Sequence, residues 1–325
     1  MMWDAMFINS IKAYLPRRVP VNDISCSMRI GDTDSGFETV TKSDQPAHIM
    51  AGLAAKNALE QSGHAGESLS TIVYATNFWA ADHMAPACHL QRVLRQRQAL
   101  AFELNAASNG GMAGVEVVAR LLSTDPGSRA GLLSVVSRIP DGIDRWMGGC
   151  FNGDAAVAAV LSKKGGFARL VASQTSTDPE FEVLCRNRAT ERGVWDVEHI
   201  ERGLLAYAES IGQEVSSVIS ATLAEADITM QHIAHVTPPA LPLSGLHEVY
   251  LDRNSIPLAK TSWPELRRNG HVGPCDQLLG LTYLVDTHQL EPGQFVLMIG
   301  SGLGFQCTCL LLEVVEPTPQ ANAAL

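Results

Sequence analysis

Short strand-like runs alternate with alanine-rich helical runs along the chain. Over residues 47–61 small and apolar side chains recur at helical spacing and stop at Gly63, and the β-branched run 69–76 then predicts a strand. Proteins in which helices and strands alternate in this way fold as layers of helices packed on a sheet. The pattern therefore predicts an α/β fold.

The same order of elements recurs in the second half of the chain. A helical run over 212–226 leads into the strand-like run 230–237, which closes on a threonine as 69–76 does. Each half also has a helical run that leads into two strand-like runs, at 105–123, 129–137 and 153–163 in the first half and at 276–290, 295–300 and 305–315 in the second. Such repetition is typical of an internal duplication.

The two predicted halves meet near Gly165 and Gly166. The N-terminal half covers residues 1–165 and the C-terminal half covers residues 166–316. Residues 317–325 carry no apolar pattern, so we predict a disordered tail there.

Composition and charge exclude several classes of protein. The 325 residues carry 34 acidic and 24 basic side chains, so the basic surface that nucleic-acid binders need is missing. Hydrophobic residues make up 46% and charged residues 18%, which excludes a disordered chain. No apolar run approaches the roughly 20 residues of a membrane span, and the start has no leader pattern. We predict a cytoplasmic globular protein without nucleic-acid or membrane partners.

The seven cysteines show no disulfide or metal-binding pattern. Their number is odd, they are scattered, and none forms a C-x-x-C pair. We expect them to be reduced, and we expect neither a metal ion nor a bound cofactor.

Ser108 is the first candidate for chemistry, because it stands where a strand-like run ends and an apolar helix begins. The positive end of the helix dipole and free backbone N–H groups suit a nucleophile whose attack creates an oxyanion. The small residues Ala106, Ala107, Gly110 and Gly111 predict space for a substrate beside the hydroxyl. A helix N-cap is the alternative role of this serine.

His271 and Asp276 are candidates for the base that a serine nucleophile needs. A serine hydroxyl requires a general base, and the base requires an orienting carboxylate. Both residues lie in the glycine- and proline-rich loop 269–276, at the start of a predicted helix. A surface-loop histidine and a helix-capping aspartate are the alternatives.

A glycine-rich turn over 300–305 is the third candidate segment. It differs from a dinucleotide fingerprint because its third glycine comes one residue early and a strand-like run follows, so we exclude nucleotide binding there. A glycine turn lets a backbone N–H approach a ligand closely, and the N–H of Gly304 could be an oxyanion donor beside that of Ser108. A tight hairpin is compatible with this role.

Five phrases together resemble the thiolase-fold ketoacyl synthase III family over about residues 5–315. They are FELNAASNGGM at 102–112, NGDAAVAAVLSK at 152–163, VTPPA at 236–240, GHVGPCD at 270–276 and GSGLGF at 300–305. The resemblance implies two fused copies of an α-β-α-β-α unit that form a five-layered subunit. It also implies a homodimer that pairs along the apolar strand 100–104, in which we expect the lone charge, Glu103, to have a partner or to reach solvent.

At three positions the chain departs from the condensing enzymes of that family. Ser108 stands in place of their nucleophilic cysteine, Pro238 in place of their histidine, and His271 in place of their asparagine. In those enzymes the histidine and asparagine stabilise the enolate that forms when a malonyl unit loses CO2. The resemblance therefore implies that decarboxylative carbon–carbon bond formation is not the reaction here.

A branch of the family with a Cys or Ser nucleophile and G-H-x-G-x-x-D matches better. It is similar to acyltransferases of antibiotic pathways, which move an acyl group from a carrier protein or CoA onto a hydroxyl, often of a sugar. This resemblance implies Ser108, His271 and Asp276 as catalytic residues, with Asn105 and Asn109 lining the substrate pocket.

The predicted donor is an acyl group on the phosphopantetheine of an acyl carrier protein. Residues 23–38 lack the tryptophan that stacks on adenine in CoA-using members, although acyl-CoA stays open as a donor. Two arginine clusters, Arg92 with Arg95 and Arg97, and Arg267 with Arg268, are either solvated faces or a docking site for an acidic carrier protein.

Three other functions remain open from sequence. A starter-unit ketosynthase of polyketide assembly would use the same nucleophile and release CO2. A serine hydrolase would transfer the acyl group to water. A catalytically silent partner subunit would shape the pocket of another synthase.

Overall fold

The computed structural model describes residues 1–24, 35–64, 69–78, 85–147, 149–185, 197–303 and 306–317. The strands are β1 (Phe7–Tyr14), β2 (Arg17–Pro20), β3 (Thr39–Lys42), β4 (Thr71–Thr76), β5 (Leu100–Leu104), β6 (Ala130–Ser137), β7 (Trp146–Met147), β8 (Cys150–Phe151), β9 (Ala155–Ser162), β10 (Ala168–Thr177), β11 (Ile233–Thr237), β12 (Phe295–Gly302) and β13 (Gln306–Val314). The helices are α1 (Ala47–Gln61), α2 (Pro86–Val93), α3 (Gly110–Thr124), α4 (Val197–Glu225), α5 (Leu243–Leu246), α6 (Trp263–Leu266) and α7 (Asp276–Asp286). Of the predicted disordered tail, all but Pro317 lies outside the described residues.

Nine strands form one continuous sheet with the order β11-β12-β13-β10-β1-β9-β6-β4-β5. The antiparallel pair β1 and β10 joins the two halves. Outward from this pair, β9, β6, β4 and β5 continue one arm, and β13, β12 and β11 continue the other. Thr261 forms a parallel bridge to Val236 of β11, at the place that β5 occupies beside β4.

The arms therefore repeat one strand order, and the predicted α/β fold with two related halves is confirmed. Strands β4, β5 and β6 pair in parallel, and so do β11 and β12. The predicted boundary at residues 165 and 166 falls between β9 and β10 and stays a prediction.

Two buried helices form the middle layer between the arms. Helix α3 contacts β4, β6 and β9 of one arm and β12 and β13 of the other, while α7 contacts β1, β11 and β12. Helix α1 covers the outside of the first arm and α4 covers the outside of the second. The helical runs 105–123 and 276–290 are largely apolar because most residues of both helices are buried.

Glu103 of β5 has a specific partner, as predicted. One of its carboxylate oxygens accepts a hydrogen bond from the backbone N–H of Ala87, 3.0 Å away, at the start of α2. A carboxylate at this end of a helix is stabilised by the unpaired N–H groups there.

Among the helices that the structure describes, none combines the length and the apolar composition needed to cross a bilayer.

Strand β5 lies at one end of the sheet and, among the described strands, pairs only with β4. Leu100 at its start is 58% exposed.

Because an open, apolar strand edge favours pairing with another chain, we predict a homodimer across β5. Light scattering at micromolar concentration should give a dimer mass, and Leu100→Lys should shift it toward the monomer. Ile143→Lys, which changes an exposed apolar residue outside β5, is the control. A monomeric wild-type chain would contradict the prediction.

Candidate active site

Ser108 lies on a strained turn between β5 and α3. A short 3-10 turn over Ala107–Asn109 connects the strand to the helix. Ala107 has a φ of 46°, in the left-handed region that a residue with a side chain avoids. Such conformations persist where the surroundings enforce them, and they cluster at active sites. The turn places the half-buried Ser108 beside the N-terminus of α3.

The structure brings Ser108, His271 and Asp276 together in one hydrogen-bonded row. Ser108 Oγ lies 2.9 Å from His271 Nε2, and His271 Nδ1 lies 2.6 Å from Asp276 Oδ2. The serine comes from the first half of the chain and the other two residues from the second. This is the arrangement in which an imidazole accepts the proton of a nucleophilic hydroxyl while a carboxylate orients the ring.

Asp276 is wholly buried, and each of its oxygens is hydrogen-bonded. Oδ1 accepts from the backbone N–H of Val272 and Oδ2 from that of Ala240, both at 2.8 Å. Asp276 is also the first residue of α7, where the helix dipole favours negative charge. Because the carboxylate acts as an acceptor, His271 carries its proton on Nδ1 and leaves Nε2 free to accept from Ser108.

The loop carrying His271 is held by the first half of the chain. The backbone N–H of His271 donates to Phe151 O at 2.7 Å, and its carbonyl accepts from Gly153 N at 2.9 Å. Gly153 itself has no room for a side chain, because a methyl group there would collide with Asn269 O. The imidazole is therefore positioned by backbone contacts between the two halves.

A buried ion pair supports this anchor, and sequence reasoning missed it. Asp154 is wholly buried, lies 2.8 Å from Arg145, and accepts from the backbone N–H groups of Ser43 and Ile139 at 2.8 Å. A buried carboxylate is tolerated only when it is paired and fully hydrogen-bonded. The signal in the sequence was the Asp at the start of an otherwise apolar strand-like run.

The space predicted around Ser108 from Gly110 and Gly111 is occupied by protein. A methyl group on Gly111 would collide with the carbonyl oxygen of Pro274, and one on Gly110 would meet Pro274 and Ala75. These glycines are small because the His271 loop packs directly on α3, and that close approach is what brings His271 to Ser108. The prediction that they provide substrate space was wrong.

The two asparagines that flank Ser108 do not both face a pocket. Asn109 is wholly buried, and its Nδ2 donates to Gln306 Oε1 and Thr308 Oγ1, each at 2.9 Å. Its predicted role as a pocket residue is therefore corrected to an anchor of the turn. Asn105 is exposed, and its Oδ1 accepts from Ala107 N at 3.3 Å. Its pocket role stays a prediction.

The capping alternatives for Ser108 and Asp276 are not what the structure shows. Neither α3 nor α7 has a side-chain hydrogen bond at its N-cap. The Ser108 hydroxyl is hydrogen-bonded to His271 instead. Of the two predicted oxyanion donors, Ser108 N lies in this turn, whereas Gly304 lies outside the described residues.

The segment after β11 supports the carboxylate and supplies no imidazole. Pro238 is buried at the position where condensing enzymes of the resembled family have a histidine. Two residues later, the backbone N–H of Ala240 donates to Asp276.

The two arginine clusters lie in different places relative to Ser108. Arg92, Arg95 and Arg97 come just before β5, whereas Ser108 comes just after it, so they lie at opposite ends of that strand. Arg267 and Arg268 come just before the His271 loop. Only this second cluster lies near the loop that carries His271.

Comparisons with known proteins agree with this architecture. The family described as 3-Oxoacyl-[acyl-carrier-protein (ACP)] synthase III C terminal matches residues 223–314, which include His271 and Asp276. The β-ketoacyl-[acyl-carrier-protein] synthase III of Granulibacter bethesdensis is 26% identical over 323 residues, covering 91% of this chain and 96% of the relative. That of Wolbachia pipientis subsp. Culex pipiens is 22% identical over 319 residues, covering 94% and 98%.

Solved structures extend the similarity to nearly the whole chain. The acyltransferase ChlB3 is 27% identical, with a TM-score of 0.90 over 98% of this chain and 100% of that one. The chain has the thiolase fold and is similar to ketoacyl-ACP synthase III proteins over nearly its whole length. The 3-oxoacyl-(acyl carrier protein) synthase III of Pseudomonas aeruginosa, at 21% identity, has the same fold with a TM-score of 0.82 over 97% of this chain and 100% of that one. The predicted thiolase fold is therefore confirmed, and the proteins that this chain resembles are named as ketoacyl-ACP synthases and as an acyltransferase.

Gly111→Ala tests the close contact between α3 and the His271 loop. The added methyl group meets the Pro274 carbonyl, so overpacking should lower the free energy of unfolding by about 1–3 kcal/mol and move His271 away from Ser108. Urea unfolding and the rate at which a fluorophosphonate labels Ser108 measure the two effects.

Gly52→Ala in α1 is the matched control, because a methyl group there meets only Val93 Cγ2 at 4.0 Å. This variant should be at least as stable as the wild type, because alanine favours a helix more than glycine does, and it should label as fast. Unchanged stability and labelling in Gly111→Ala would show that the contact does not position His271.

Proposed function

We propose that this enzyme transfers an acyl group from a carrier-protein thioester, through an ester on Ser108, to the hydroxyl of a small-molecule acceptor. The observation that carries the proposal is the hydrogen-bonded row Ser108–His271–Asp276. The row supplies a nucleophile, a general base and an orienting carboxylate, which together are the groups that acyl transfer through a serine ester requires.

In the first step Ser108 Oγ attacks the thioester carbonyl carbon and its proton moves to His271 Nε2. Asp276 stabilises the resulting imidazolium, and the backbone N–H of Ser108 donates to the oxyanion. When the tetrahedral intermediate collapses, the carbon–sulfur bond breaks and His271 returns the proton to the departing thiol. The products are an acyl-Ser108 ester and a free carrier thiol.

In the second step the acceptor hydroxyl occupies the place of the departed thiol. His271 Nε2 takes its proton, the acceptor oxygen bonds to the acyl carbon, and the ester bond to Ser108 breaks. The proton then passes from His271 back to Ser108. One ester replaces another of similar energy, so a serine intermediate suits transfer to an alcohol.

The site favours this reaction over decarboxylative condensation. Condensation needs groups that stabilise an enolate, and the buried Pro238 supplies no donor. His271 is hydrogen-bonded to both Ser108 and Asp276, and this arrangement makes it a base for hydroxyl groups. A catalytically silent partner subunit does not require a buried carboxylate aligned behind an imidazole, and burying that charge costs free energy. Hydrolysis uses the same row of residues, with water as acceptor.

An acyl carrier protein is the proposed donor. The curated relatives are named for action on acyl carrier protein, and ChlB3 is an acyltransferase. Three arginines next to the His271 loop form ion pairs with two glutamates. Arg18 and Arg268 pair with Glu265, and Arg267 pairs with Glu38. Three positive charges against two negative ones leave a net attraction for an acidic partner. An antibiotic or polyketide pathway, with a sugar or another alcohol as acceptor, is the setting that we propose.

The acyl-enzyme is tested by intact-mass analysis after incubation with acyl carrier proteins and, in parallel, acyl-CoA thioesters. We expect a mass increase that is faster with the carrier protein, absent in Ser108→Ala and lost when an alcohol is added. His271→Ala should slow acylation by about 10² to 10⁴, the contribution of a positioned base. Asp276→Asn should slow it by a similar factor, because the imidazole can then adopt the wrong tautomer.

Ser123→Ala is the matched control, since this serine lies at the other end of α3 and its hydroxyl donates to Ala119 O within the same helix. It should acylate at the wild-type rate. Acylation that survives Ser108→Ala would contradict the proposal, and loss of the acyl group to water in the presence of every alcohol tested would favour a hydrolase.

A further inference from the structure

A chain of hydrogen bonds leads from the turn that carries Ser108 to a carboxylate in the middle of α3. Asn109 Nδ2 lies 2.9 Å from Thr308 Oγ1, and Thr308 Oγ1 lies 2.9 Å from Thr175 Oγ1. Thr175 Oγ1 in turn lies 2.5 Å from Glu116 Oε2. Arg120, which is half exposed, lies 2.5 Å from Glu116 Oε1 and supplies the countercharge.

The carboxylate sets the direction of every bond in this row. A carboxylate only accepts hydrogen bonds, so Thr175 must donate its single hydroxyl hydrogen to Glu116. Thr175 then accepts from Thr308, and Thr308, having donated its own hydrogen, accepts from Asn109. This order requires the NH2 group of Asn109, and not its carbonyl oxygen, to face β13. Gln306 Oε1 receives the other N–H.

Stability alone does not account for Glu116. Its side chain is 9% exposed and sits on the buried α3, where a charge costs free energy even when it is paired. Apolar residues of similar volume would pack the same space at least as well. The row therefore has a purpose other than strengthening the core.

The side-chain amide of Asn109, which these hydrogen bonds hold in place, belongs to the strained turn. Asn109 directly follows Ser108, and Ala107 directly precedes it with its φ of 46°. Gly302 of β12 presses on the same turn, since a methyl group there would collide with Ala106 O. Without these constraints Ala107 would relax toward negative φ and carry Ser108 Oγ away from His271.

We propose that Thr308, Thr175 and Glu116 are positioning residues that hold Ser108 in its reactive place by fixing the amide of Asn109. The inference rests on the proposed function only in that Ser108 is the nucleophile. It assigns to three residues from α3, β10 and β13 an effect on a reaction they do not touch.

The test is the rate at which an alkyl fluorophosphonate labels the full-length protein. In that reaction Ser108 Oγ forms a bond to phosphorus, fluoride leaves, and the proton passes to His271 and then to solvent. Thr308→Val removes the hydroxyl at nearly constant volume and should slow labelling about 10- to 100-fold, the loss expected from a small misplacement of a reacting atom. Thr308→Ser keeps the hydroxyl and should label like the wild type.

Ala107→Gly separates positioning from general loosening. Glycine adopts positive φ without steric cost, so the double variant Ala107→Gly with Thr308→Val should recover part of the lost rate. A general loosening of β13 would not be repaired there. Thr222→Val, a wholly buried threonine bonded to Val218 O within α4, is the control for the loss of a buried hydroxyl and should label at the wild-type rate.

Wild-type labelling of Thr308→Val, or failure of Ala107→Gly to restore any rate, would overturn the proposal. Should Thr308→Val not fold, Thr175→Val breaks the same row at an exposed position and carries the same expectations. The fluorophosphonate reacts with Ser108 without an acyl donor. The labelling rates therefore test the positioning role even if no thioester acylates Ser108, so failure of this inference can be told apart from failure of the proposed acyltransferase function.

Discussion

The carboxylate of Asp276 is wholly buried and can be charged there only if each oxygen is hydrogen-bonded. Three groups from the second half of the chain therefore donate to this carboxylate. They are the backbone N–H of Ala240 in the segment after β11, the backbone N–H of Val272 in the loop, and the imidazole of His271. Once these donors are in place, the ring has one orientation and its Nε2 faces Ser108. The chemistry of the site follows from satisfying this one buried charge.

Ser108 and His271, the proposed nucleophile and base, come from different halves of the chain, so the site depends on how closely those halves approach. Gly111 against Pro274 and Gly153 against Asn269 allow backbone to pack on backbone with no side chain between. Interiors are densely packed and deform little, so a displacement at these contacts would be transmitted to the distance between Ser108 and His271. The buried pair Arg145–Asp154 holds the first half in the shape that this contact requires.

Much of the site could be predicted from sequence because its chemistry is local. Ser108 stands at a strand–helix junction, and His271 and Asp276 share one short loop, so residue type and spacing already pointed to them. The contacts of Asn109 and Gly111 could not be predicted in this way. Their partners, Thr308 and Pro274, are more than 160 positions away in the sequence. Spacing alone does not tell whether a small residue faces a ligand or another part of the chain.

The elements show the same division between local and long-range control. The helical run 105–123 contains α3, but the helix begins only at Gly110, because the strained turn at Ala107 occupies the residues before it. The run 212–226 predicted only the later part of α4, which begins at Val197. Alternating helices and strands indicated the fold class, whereas the joining of both arms by β1 and β10 is a tertiary feature with no signal in either strand alone.

We propose that the replacement of the condensing residues, together with the hydrogen-bonded triad Ser108–His271–Asp276, changes the reaction from carbon–carbon bond formation to acyl transfer. It is tested most directly by supplying the enzyme with an acylated carrier protein, an alcohol and a malonyl carrier protein that is radiolabelled in its free carboxyl group. We predict that the acyl group is consumed while no labelled CO2 is released above the rate without enzyme. Release of one labelled CO2 for each acyl group consumed would contradict it and assign the enzyme as a starter-unit ketosynthase.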